Sequence, residues 1–127
     1  MIHSQRKGAQ GEREWAGKLR DRGYEAHRGQ QYCGLEGEDV VSNLPIHWEV
    51  KRVQRLQLTD AVDQSKRDAG WKAPAVAHRK NHEEWKVTMP ADVFMDLLMC
   101  TDMDAFERLL KHGECVDLDC RCREAGL

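Results

Sequence analysis

The chain has 127 residues, enough for one compact domain with a core and too few to divide comfortably into two. Apolar residues make up 40% and charged residues 33%, with both signs mixed along the chain, which excludes a disordered tail and a membrane-spanning protein. The formal net charge of −2 conceals an uneven distribution: cations cluster between Gln5 and Lys80, acids between Asp92 and Asp119, so a nucleic-acid partner stays open despite the sum.

In chain order, Gly8 to Arg22 reads as an amphipathic helix with Glu12, Trp15, Ala16 and Leu19 on one face and Gly23 as its stop. Tyr24 to Gln31 is extended and runs into a glycine-marked loop at Gly34-Leu35-Glu36-Gly37. Glu38 to Ser42 follows, then a break at Asn43-Leu44-Pro45. Ile46 to Val53 has the period of a half-buried strand, with Ile46, Trp48 and Val50 on one face and His47, Glu49 and Lys51 on the other. Paired as a hairpin, these two runs put Asp39 opposite Glu49 to within one residue of register. Thr59-Asp60 predicts a helix start, with Leu58, Ala61, Val62, Ser65 and Ala69 as the inward stripe and Gly70 as the end. Pro74 to His78 and Trp85 to Met89 are strand candidates that complete a small mixed sheet. Pro90-Ala91-Asp92 opens a helix carrying Val93, Phe94, Leu97 and Leu98, and Asp104 to His112 forms another with Phe106, Leu109 and Leu110 inside.

Asp39 and Glu49 supply hard oxygen ligands suited to magnesium or manganese, which neutralise a phosphodiester and activate a water for its hydrolysis. Residues two apart on a strand share a face, so Lys51 stands beside Glu49, where its ammonium can orient water or stabilise the transition state. The Val50 carbonyl is a further candidate ligand. Glu12 reads equally as a metal ligand and as a partner of Arg28 or a helix-dipole acid. Gln64 and Lys66, on the following helix, can contact water or phosphate, or simply form an exposed polar face. An acid followed at a distance by acid-x-lysine is weak as a bare pattern, because charged residues are common.

The order of these parts resembles the PD-(D/E)XK nuclease superfamily, and within it the archaeal-type Holliday junction resolvases and related phage proteins. Arg6-Lys7-Gly8-Ala9-Gln10-Gly11-Glu12-Arg13-Glu14 resembles their opening segment, followed by a helix ending in Gly23-Tyr24 and then Arg28. Glu38-Asp39-Val40-Val41 is similar to their Pro-Asp-apolar segment, with glutamate in place of proline, and His47-Trp48-Glu49-Val50-Lys51 to their Ile-Glu-Val-Lys strand. Pro74 to His78 and Trp85-Lys86-Val87 resemble the closing strands, so the likeness spans roughly the first seventy per cent of the chain and has no counterpart beyond Met89.

The resemblance implies an α/β, restriction-endonuclease-like core (α-β-β-β-α-β) with a central mixed sheet over residues 1–89. Residues 90–127 are then a C-terminal helical extension with a cysteine-bearing tail, part of the same compact domain or an appendage. It implies Glu12, Asp39 and Glu49 at the metal, Lys51 in catalysis, and Arg6, Lys7 and Arg28 near DNA phosphates; Arg52, in the basic cluster beside Lys51, is a further candidate DNA contact on charge alone. The guanidinium groups also have an independent case, since they grip phosphate bidentately. A homodimer placing two sites on two strands follows from the family, as does work in recombination, repair or phage DNA processing. The competing readings are a catalytically silent DNA-binding module of the same fold and a general or restriction-type nuclease without junction preference.

The first eight residues lack the apolar core of a secretory signal, so the expected location is cytoplasmic, in the host cytoplasm for a phage-encoded chain, with reduced thiols. His112, Cys115, Cys120 and Cys122 are enough soft ligands for zinc, but their spacing matches no strong finger pattern, and a free thiol cluster is the plainer reading. The acidic tail could instead hold a protein partner. His47 shares the active face of its strand and reads as a neighbour of DNA or metal, or as an ordinary strand histidine. Trp15, Trp48 and Trp85 fit core positions. Trp71, beside Gly70, is the tryptophan placed to stack on a base, with covering the core edge as the plainer alternative.

Overall fold

The computed structural model describes residues 2–29 and 38–113, with side chains from residue 8 onward. The chain separates into two units, Met1–Pro90 and Ala91–Leu127. The first contains α1 (Ile2–Asp21), β1 (Ala26–Arg28), β2 (Val40–Ser42), β3 (Ile46–Arg52), α2 (Leu58–Asp68), β4 (Ala73–Arg79) and β5 (Lys86–Thr88). The expected α-β-β-β-α-β order is the observed one, with β5 added at the edge.

The five strands form one mixed sheet in the order β1-β2-β3-β4-β5. Its pairs are antiparallel except β3 with β4, which run parallel from Ile46↔Ala73 to Arg52↔Arg79. A parallel pair needs a crossover, and α2 provides it. The β2–β3 hairpin turns at Asn43–Pro45, and its Val40↔Trp48 pair carries Asp39 to the position facing Glu49.

Alternation along β3 separates two environments. Trp48 and Val50 pack with Trp15, Ala16 and Leu19 of α1 and with Ala26, Val40, Ala75 and Ala77. Trp15 meets Trp48 edge-to-face at 5.0 Å between ring centroids and Trp85 at 5.4 Å, so all three assigned core tryptophans lie in or against the core. Gly11 lets α1 approach the sheet closely, since a Cβ there would stand 2.8 Å from the Arg52 Cβ. On the opposite side of the sheet, α2 seats Ser65, whose Oγ lies 3.5 Å from the His47 carbonyl and 3.4 Å from that of Ala75.

Several boundaries differ from the sequence reading. Helix α1 begins at Ile2 rather than Gly8, an extension without apolar periodicity to announce it. Its end is as expected: Gly23 adopts φ 96°, and the Gly23 and Tyr24 amides bond back to Arg20 and Leu19. Helix α2 starts at Leu58 with Gln57 as its N-cap, so Thr59 lies in the first turn instead of capping it.

The second unit holds α3 (Ala91–Met99) and α4 (Met103–His112). The Asp102 side chain caps α4 by accepting from the Ala105 amide at 3.0 Å, and Gly113 closes it in the left-handed region at φ 65°. The expectation that Phe106, Leu109 and Leu110 lie inside is not met: they are exposed, as are Phe94 and Leu97, and neither helix has a buried residue. An amphipathic stripe shows that a helix has an apolar face, not what covers it. Among the described residues no helix is long and apolar enough to cross a membrane.

Candidate metal centre and its surroundings

Trp48 and Val50 anchor β3 against α1, and a slip of one residue would turn its charged set into that apolar core, so packing fixes which way His47, Glu49 and Lys51 face. Glu49 is only 4% exposed. Its carboxylate has Lys51 Nζ 3.7 Å from Oε1 and His47 Nε2 3.9 Å from Oε2, two charge contacts rather than hydrogen bonds.

Asp39 is held from the neighbouring strand. Its amide donates to the Trp48 carbonyl at 3.2 Å, and its Oδ2 accepts from the Val50 amide at 2.9 Å. The part of Val50 that touches Asp39 is therefore its N–H. Burial, and then the Glu49 carboxylate, push the Asp39 pKa up to about 7; Glu12 adds to the rise, while the Val50 amide and Lys51 oppose it. Acids crowded this closely favour either a shared proton or a cation. A hard divalent ion fits such oxygen donors, and Asp39 and Glu49 are the residues that would hold it.

Of the readings of Glu12, the partner of Arg28 is the one seen directly. Its Oε2 accepts from Arg28 Nε at 2.8 Å, yet the carboxylate is near enough to raise Asp39. Arg28 is thus paired with an acid while its side chain stays 41% exposed. Arg52 is more enclosed, with Nε 3.3 Å from Glu14, a carboxylate it shares with Arg79.

Other assigned residues stand apart from this centre. Gln64 and Lys66 flank the buried Ser65 on α2, and neither bonds to the acidic group among the described residues. The side chains of Arg6 and Lys7 lie outside the described residues, as do Cys115, Cys120 and Cys122; His112 is exposed. Trp71 is 82% exposed, so it does not cover the core edge, and the Lys72 ammonium lies 5.9 Å from its ring centre.

One acid was missed by the sequence reading. Asp68, at the end of α2, comes together with His47 and Glu49 so that one ligand atom from each lies within 4.8 Å of the others. Its signal was helical spacing: Ala61, Ser65 and Asp68 recur at the interval of one helix face, and the first two are buried against the sheet.

Comparison with family models and with curated proteins gives no match. Among solved structures, one match is the 1.6 Å structure of Archaeoglobus fulgidus Hjc, a Holliday junction resolvase from an archaeal hyperthermophile. It is 21% identical, covers 68% of this chain and 77% of that one, and superposes with a TM-score of 0.46. A likeness of that extent assigns no function.

Proposed function

We infer that the chain is a metal-dependent DNA endonuclease that hydrolyses phosphodiester bonds, acting on branched or otherwise structured DNA. The observation that carries this reading is the convergence of Asp39 and Glu49 across the β2–β3 pair with the Lys51 ammonium 3.7 Å from Glu49. Asp39 and Glu49 would hold a magnesium or manganese ion, which would supply charge to neutralise the phosphate and to activate a water for attack. Lys51, 31% exposed at its side chain, reaches solvent from its place beside Glu49, where it orients the attacking water and offsets the charge gathering on the phosphorane oxygens.

Arg28 positions the strand backbone through its exposed guanidinium, while its bond to Glu12 fixes its direction. The preference for structured DNA comes from the motif order shared with the resolvase-type enzymes, and the homodimer implied by that likeness would place two such sites on two strands.

The test is a cleavage assay of the full chain on four-way junction, flap, single-stranded and linear duplex DNA, with magnesium or manganese. Metal-dependent cleavage favouring the junction or flap is expected. Equal rates on all four would remove the structural preference, and binding to every substrate without cleavage under either metal would overturn the enzyme assignment.

A further inference from the structure

Behind Glu49, on the side away from Lys51, lies a second group of donors that the nuclease reading does not use. His47 is 3% exposed, and its Nε2 is buried with no hydrogen-bond partner. Leaving a ring nitrogen so is costly unless something completes it. The same Nε2 points at Glu49 Oε2, 3.9 Å away, and Asp68 brings a third ligand atom into the 4.8 Å group. Donors around an ion at about 2.1 Å lie about 3 to 4.2 Å apart, so small side-chain rotations bring this group to ligating distance.

The surroundings are those of a cation site. Glu38 Oε1 lies 3.8 Å from the other ring nitrogen, Nδ1, and is held in turn by Lys72 Nζ, so a second carboxylate stands on the far side of the ring at charge-contact distance. An open cleft of about 360 Å³, lined by Glu38, His47, Asp68, Trp71 and Lys72, provides the entry path.

We propose that His47, Glu49 and Asp68 form a second divalent-cation site of mixed nitrogen and oxygen donors, suited to manganese and its transition-metal neighbours more than to magnesium. Imidazole is the donor that makes this distinction, because magnesium selects oxygen. Glu49 joins the two centres, offering Oε1 on the Lys51 side and Oε2 on the His47 side. The site goes beyond the nuclease reading and shares only this residue with it.

The experiment binds Mn²⁺ to the full chain and counts bound ions by electron paramagnetic resonance, with spin-echo modulation reporting a ligated imidazole nitrogen. Wild type is expected to bind two ions per chain and to show nitrogen modulation, and Asp39→Asn to keep one ion and the modulation. Adding His47→Gln or Asp68→Asn to Asp39→Asn should weaken the remaining ion by about tenfold or more. His47→Gln should also abolish the modulation. Asp68→Asn, at a half-buried helix end, serves should the buried His47 variant fail to fold. Unchanged affinity in the folded double variants, or no nitrogen modulation in wild type at saturating Mn²⁺, would overturn the site. These outcomes are separate from the nuclease test, since the ion can be counted whether or not any DNA is cut.

Discussion

The two faces of β3 divide the work of the protein between them. On one, Trp48 and Val50 join an apolar core with Trp15, Ala16, Leu19 and Val40. On the other, His47 and Glu49 are equally buried, yet they meet only at 3.9 Å, and the nearby Asp39 is crowded enough to hold a proton near neutrality. One seven-residue strand thus carries both a stabilising face and a costly one. Unsatisfied buried charge of this kind persists where a ligand completes it.

Substitutions on the two faces should therefore separate stability from activity. The largest expected effect is on the apolar face: Trp48→Ala removes the ring that meets Trp15 and should cost about 3 to 5 kcal/mol of unfolding free energy. Glu49→Gln, at the next residue and on the other face of the same strand, should leave the denaturation midpoint unchanged or raised while removing cleavage. Urea denaturation of both variants measures the contrast, and equal destabilisation would dissolve it.

A smaller effect is expected from pH. The folded Asp39 pKa of about 7 stands above the ordinary aspartate value of 3.8, so the folded, metal-free chain binds the extra proton. Its stabilising contribution is fully present below about 3.8 and is lost as pH rises through about 7. Metal-free wild type should thus lose stability across that window relative to Asp39→Asn, and Mn²⁺ should restore it at the upper end. Parallel pH profiles for the two proteins without metal would show that Asp39 is not crowded by its neighbours.

How much of this was legible in the sequence follows from the range of each interaction. The β3 alternation was visible because an apolar and a polar face alternate along the strand, although the half-burial inferred from it was not met, since His47 and Glu49 are buried beneath α2; the short break at Asn43–Pro45 limited the register that could face Asp39 toward Glu49. Asp68 was not seen, although it shares a helix face with Ser65, because its approach to His47 depends on the β3–α2–β4 crossover. The pairing of Glu12 with Arg28 was one of two open readings, and only the placement of α1 on the sheet shows that Glu12 also acts on Asp39. The exposed stripes of α3 and α4 are the reverse case: the periodicity was correct and the burial inferred from it was not.

The central claim is that Asp39, Glu49 and Lys51 form one metal-dependent hydrolytic centre, and its most direct measurement is cleavage of a labelled four-way junction by wild type, Asp39→Asn and Lys51→Ala with and without Mn²⁺. Wild type is expected to cut only with the ion, and both folded variants to lose cutting by about a hundredfold or more. Cleavage that needs no divalent ion, or that persists undiminished in both variants, would contradict it.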